Sequence, residues 1–147
     1  MEFRKNDIVT LEIVDCGTDG EGIGKADGFT VFVKDAVIGD TVTAKIMKAK
    51  KNYGYGRLME ILNASPYRVE PVCPSARQCG GCQLQAVSYE EQKVFKEKKL
   101  RGHLERIGGF TNLPMEPLIG MDEPYHYRNK AQFPVGRNKE GKIVTGF

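Results

Sequence analysis

No run of apolar residues in this 147-residue sequence approaches membrane-spanning length, so a helical anchor is not expected. No basic, apolar, small-residue leader opens it, and the expected compartment is therefore a reducing cytoplasm. That sets aside a disulfide framework for the four cysteines. Histidine is scarce, with only His103 and His126. The net charge, +3, is too small to argue for any partner by itself. With 40% hydrophobic and 28% charged residues the composition is that of an ordinary globular protein, long enough for one medium domain or two small ones.

What stands out is a cysteine cluster, Cys73-Pro-Ser-Ala-Arg-Gln-Cys79-Gly-Gly-Cys82, a C-x5-C-x2-C spacing. Pro, Gly, Gln and Arg flank the thiols, unlike the apolar neighbours of core cysteines. Thiolates at this spacing suit a soft or borderline metal, either zinc or an iron–sulfur cluster. Gly80 and Gly81 let the chain turn between two of the ligands. The loop supplies three ligands where four are usual. His103, His126 and Cys16 are the candidates for a fourth. His103 lies in a lysine-rich helical segment and is expected at the surface, and Cys16 is expected to be half-buried at a strand end.

Charge is unevenly distributed. Residues 1–40 hold four Lys/Arg against nine Asp/Glu. Residues 41–60 reverse this, with Lys45, Lys48, Lys50, Lys51 and Arg57 against Glu60 alone. Tyr53 and Tyr55 interleave with these cations. Ammonium groups can track phosphates while tyrosine faces stack on bases, so the segment is a candidate nucleic-acid surface. The competing reading is a solvated hairpin whose lysines blunt a sheet edge.

Residues 5–62 read as a small all-β unit. Ile8–Val14, Phe29–Val33, Thr41–Ile46 and Tyr55–Leu62 carry β-branched or alternating patterns. Asp19–Gly24 and Val37–Asp40 read as turns. Short strands at this spacing predict a small closed antiparallel barrel, ended by Ser65-Pro66. Gly20-Glu-Gly22-Ile-Gly24 is not a nucleotide-binding loop, because no helix follows it.

After the cysteine loop, Ser88 and Glu91 form a capping-box pattern at the start of a helix with Val94, Phe95, Leu100 and Leu104 as its apolar stripe. Gly108-Gly109 ends it. Ala131–Gly136 and Ile143–Phe147 read as two strands. A chain stopping inside the second of these reads as a fragment of a longer protein. The predicted fold is mainly β with α: a small barrel over 1–65, then 66–147 with a cysteine loop, a helix and a β-hairpin of an incomplete α+β domain.

Four runs carry a resemblance: Ser65–Cys73, Cys79-Gly-Gly-Cys82-Gln-Leu-Gln, Tyr89–Lys96 and Tyr127-Arg-Asn-Lys-Ala-Gln-Phe-Pro-Val135. They resemble the bacterial 23S rRNA (uracil-5-)-methyltransferase family. Asp19–Gly24 and Gly56–Leu62 resemble the TRAM domain, an OB-like barrel that begins many of its members. The resemblance implies an enzyme that methylates carbon 5 of a uridine in RNA, rRNA first and tRNA as the alternative, with S-adenosylmethionine as donor. It implies that the barrel binds RNA, and that Cys73, Cys79 and Cys82 are three of four ligands of a 4Fe–4S cluster, the fourth lying past Phe147. Cys16 matches no family ligand. The donor site, a cysteine nucleophile and a carboxylate base are implied in a C-terminal domain of the same protein, so residues 1–147 contain no catalytic residue. Arg128 and Lys130, two apart in an expected strand, are implied to share a face toward RNA or that domain. Two other classes remain open: a zinc-binding nucleic-acid module without activity, and a thiol-redox protein using Cys79-Gly-Gly-Cys82 ahead of a helix.

Overall fold

A computed structural model describes residues 3–146. They divide into two compact units, one of residues 3–73 with 83–88, the other of 74–82 with 89–146.

The first unit is a closed five-stranded barrel: β1 (Ile8–Cys16), β2 (Gly22–Ala26), β3 (Phe29–Lys34), β4 (Thr41–Ala49) and β5 (Tyr53–Asn63). The strands run in the order β1-β2-β3-β5-β4, with β4 closing onto β1. Every pairing is antiparallel except β3 with β5, which is a parallel seam. Alternation drives closure. Val9, Leu11 and Ile13 on β1, Val31 and Val33 on β3, and Val42, Ala44 and Ile46 on β4 all point inward and are buried.

The segment read as a glycine turn is partly strand. Gly22 and Gly24 belong to β2, on its inward positions. A Cβ on Gly24 would stand 2.8 Å from the Glu12 carbonyl oxygen and 3.0 Å from the Leu11 Cβ. Gly54, inward on β5, would bring its Cβ within 3.0 Å of the Phe29 ring and 2.9 Å of the Lys48 carbonyl oxygen. So small a barrel has no interior volume for side chains at these positions.

Asp40 fastens the exit from the barrel. It is fully buried. Its carboxylate accepts from the backbone N–H of Val37 and of Ser65 at 2.7 and 2.8 Å, and from Arg68 Nη2 at 2.5 Å. Arg68 also donates to the Asp35 carbonyl. Burial alone would raise the Asp40 pKa. The Arg68 guanidinium and the two N–H donors outweigh it and hold the carboxyl below its ordinary value. Arg68 then bridges Val87, with Val69 donating to the Ala86 carbonyl and Ser88 to the Tyr67 carbonyl. The two ends of the segment that carries Cys73–Cys82 are thus pinned to each other.

The second unit contains α1 (Tyr89–Gly102), continued by a π turn over His103–Ile107, and a short hairpin of β6 (Val135–Arg137) and β7 (Ile143–Thr145). The helix starts right after Ser88, as the capping pattern predicts, and Gly108 caps its end. Its stripe is not a buried one: no residue of α1 is buried, and Val94 and Leu100 are more than half exposed. Residues 118–121 are strapped to it by polar bonds, Leu118 N–H to Glu97 and Met121 N–H to the Tyr89 hydroxyl. The first predicted strand shrinks to Val135–Arg137. Pro134, which has no N–H to give a ladder, stands just before it. Phe147, the end of the second predicted strand, lies outside the described residues.

Candidate nucleic-acid interface

On β5 the sequence Tyr53-Gly54-Tyr55-Gly56-Arg57 puts glycines inside and large side chains outside. The parallel seam sets Phe32 of β3 opposite Tyr55. Phe32, Tyr53 and Tyr55 form a triad with ring centroids 5.7 to 5.9 Å apart. Phe32 and Tyr55 are tilted by 31°, and Tyr53 meets both edge-on. Both tyrosines remain exposed. Across β4, Lys48 pairs with Tyr55 and Lys45 with Arg57. The triad therefore has cations along one side. Phe32 is predicted as a strand residue but not as a site residue, because only the parallel pairing brings β3 beside β5.

Lys50 and Lys51 stand at the β4–β5 hairpin, where Lys50 N–H bonds the Tyr53 carbonyl. They line an open cleft with Arg4, Lys5, Phe3 and Phe29. The Phe3 and Phe29 rings lie 5.2 Å apart. Arg4 and Lys5 are a second omission, since no local pattern links them to a hairpin some 45 residues on.

Arg128 and Lys130 are exposed, but Tyr127–Lys130 is irregular chain rather than strand. The alternation argument for a shared face therefore fails. His126 has a φ of 58°, a left-handed conformation that breaks an extended run. The Arg128 guanidinium lies over the Tyr127 ring, 5.8 Å from its centroid. The Tyr127 hydroxyl, and behind it Cys82, raise its pKa.

No disulfide joins any of the four cysteines. Cys73, exposed, gives its N–H to the Gln85 side-chain carbonyl. Cys79 is half-buried in a turn where its own N–H and that of Gln78 meet the Ser75 carbonyl, and its Sγ accepts from Gly81 N–H at 3.3 Å. Cys82 is exposed. Thiols are the donor type that zinc and iron–sulfur sites use. Among the described residues, no three His, Cys, Asp or Glu side chains stand as a group that could hold one ion. Cys16 is half-buried at the end of β1 and His103 is exposed, both as expected. The helix N-terminus at Tyr89 follows Cys82 by seven positions, so the cysteine pair does not sit at a helix start as a redox motif would. Among the described residues no helix is long and apolar enough to cross a membrane.

Residues 3–59 match the TRAM domain model. An uncharacterized RNA methyltransferase of Halalkalibacterium halodurans is 49% identical over 144 residues, 98% of this chain and 31% of that protein. Another, of Clostridium acetobutylicum, is 48% identical over 146 residues, 98% of this chain and 32% of that protein. Among solved structures, the Pyrococcus abyssi tRNA (uracil-54, C5)-methyltransferase in complex with S-adenosyl-L-homocysteine is 30% identical, with a TM-score of 0.45, over 68% of this chain and 21% of that one. The chain spans about a third of the length of the curated relatives it matches. Residues 3–59 thus carry a TRAM domain match, and nearly the whole chain is similar to about a third of the length of bacterial proteins named RNA methyltransferase.

Proposed function

We propose that this chain is the RNA-binding and iron–sulfur segment of an S-adenosylmethionine-dependent RNA (uracil-5-)-methyltransferase acting in the cytoplasm, with rRNA as its substrate. Residues 1–65 bind RNA, and 66–147 begin the domain that holds the cluster. The observation that carries the reading is the outer face of β3, β5 and β4. Three aromatic rings, two of them on exposed tyrosines, lie beside Lys45, Lys48 and Arg57. Stacking planes next to a row of cations suit single-stranded RNA, whose bases are free to splay onto rings while phosphates follow the charges. Lys50 and Lys51, with Arg4 and Lys5, extend the phosphate track around the hairpin. Arg128 and Lys130 contribute cations in the second unit.

Cys73, Cys79 and Cys82 would hold a 4Fe–4S cluster together with a ligand from beyond Phe147. Its role there would be structural, fixing the loop. The methyl donor, the nucleophile and the base belong to the rest of the parent protein. Two measurements test the reading. Tyr55→Ala should weaken single-stranded RNA binding about tenfold while Tyr55→Phe binds nearly as wild type, as expected when a ring stacks on a base. Equal affinity for all three proteins would remove the platform. Anaerobically purified parent protein should contain iron and sulfide in cluster stoichiometry, and stoichiometric zinc without iron would replace the cluster with a zinc site.

A further inference from the structure

A pocket of about 250 Å³ opens beside the triad. Phe32 and Tyr55 supply its aromatic wall, and Asp19, Glu21, Asp35 and Gln83 its polar one, with Lys34 also lining it. Three carboxylates against one ammonium make this pocket negative, although it adjoins a basic strip. The negative field reaches the Tyr55 hydroxyl, whose pKa is raised first by Tyr53 and burial and then by Glu21 and Asp19. The size is below the roughly 300 Å³ lower end of small-molecule sites. It suits one planar ring rather than a whole nucleotide.

Carboxylates only accept hydrogen bonds, and they repel phosphate. A polyanion crossing this face must therefore keep its backbone on the Lys48 and Arg57 side. What it can offer the pocket is a neutral group rich in donors. We infer that the pocket takes one unstacked guanine of the bound RNA, its ring against Phe32 and Tyr55 and its base edge on the carboxylates of Asp19 and Glu21. Guanine presents N1–H and the N2 amino group side by side, a pair of donors that matches the two oxygens of one carboxylate. Uracil offers a single N3–H between two carbonyl oxygens, which the carboxylates repel. Cytosine and adenine offer an amino group beside a ring-nitrogen acceptor. The barrel would then select sequence as well as bind the backbone. This inference rests on the RNA-binding reading above.

The test is fluorescence anisotropy of the 147-residue chain with short labelled uridine oligomers, in which one central position is uridine, guanosine or inosine. Inosine keeps N1–H but lacks the amino group. Guanosine should bind about fivefold to tenfold tighter than uridine, with inosine between, the range expected for a charge-assisted hydrogen-bond pair at a wet site. Asp19→Asn combined with Glu21→Gln should bring the guanosine-to-inosine ratio to about one, because amides no longer offer two acceptor oxygens. The same double variant should bind all-uridine oligomer at least as tightly, because two charges that repel phosphate are gone. Equal wild-type affinity for all three oligomers would overturn the guanine pocket and leave the RNA-binding reading standing. A guanosine preference that survives the double variant would also overturn it. No binding to any oligomer would overturn both.

Discussion

The two units of this chain are held together in different ways. The barrel buries a contiguous set of side chains from Val9 to Ile46 at 7% exposure or less. The second unit buries none along α1, and Ile107, Ile119, Val135 and Ile143 are 81%, 96%, 70% and 67% exposed. Its contacts include the Lys93–Glu90 ion pair, polar straps such as Met121 to Tyr89, and half-buried Phe95, Leu104 and Leu118. Hydrophobic burial is the dominant favourable term in folding, so stability in this chain is concentrated in the barrel. The pinned stem at Arg68–Val87 gives the cysteine segment a fixed base inside the barrel unit.

Truncations should separate the units most strongly. Ile46→Ala removes a fully buried side chain of the barrel and should cost about 2–5 kcal/mol in urea denaturation. Val135→Ala should stay within about 0.5 kcal/mol, as an exposed position does. Equal effects would mean that the second unit also has a core.

Breaking the clasp comes next. Arg68→Ala leaves the Asp40 carboxylate buried without its cation, at a cost of about 3 kcal/mol. Asp40→Asn combined with Arg68→Ala should recover part of that loss. The clasp also gives the barrel a pH dependence of known sign. Asp40 has a lowered pKa in the folded protein, so its contribution is complete above the unfolded value of about 3.9 and is lost as pH falls below that toward the folded one. The acid limb of a pH–stability curve should therefore flatten in Asp40→Asn.

A smaller effect is expected from Gly54→Ala. Its new methyl would meet the Phe29 ring and the Lys48 carbonyl, and about 1–3 kcal/mol of overpacking follows. Unchanged stability would show that β5 has room to shift.

Much of the barrel was legible because its strands alternate. Ile8–Val14 and Thr41–Ile46 show the period-2 pattern directly, and the helix after Ser88 announces itself by its cap. β2 was not legible. Gly22 and Gly24 look like turn punctuation, yet here they mark a strand whose inner face is too close to its neighbours for a Cβ. The Asp40–Arg68 pair and the Phe32–Tyr55 contact join residues more than twenty positions apart, and periodicity does not reach that far. The cations of 41–60 were visible as composition. Their alignment beside an aromatic triad depends on the parallel seam, which no local pattern encodes. Arg128 and Lys130 were read through an expected strand that did not form, so their shared face was lost with it.

The central claim is that the basic, aromatic face of the barrel binds RNA through phosphates. The most direct test is the salt dependence of single-stranded RNA affinity for the wild-type chain and for Lys48→Ala/Lys50→Ala/Lys51→Ala. If each lysine meets one phosphate, the slope of log affinity against log salt should flatten by about 0.7 for each, or about 2 for the triple variant. The same affinity and the same slope in both proteins would contradict the claim and leave these lysines as a solvated hairpin.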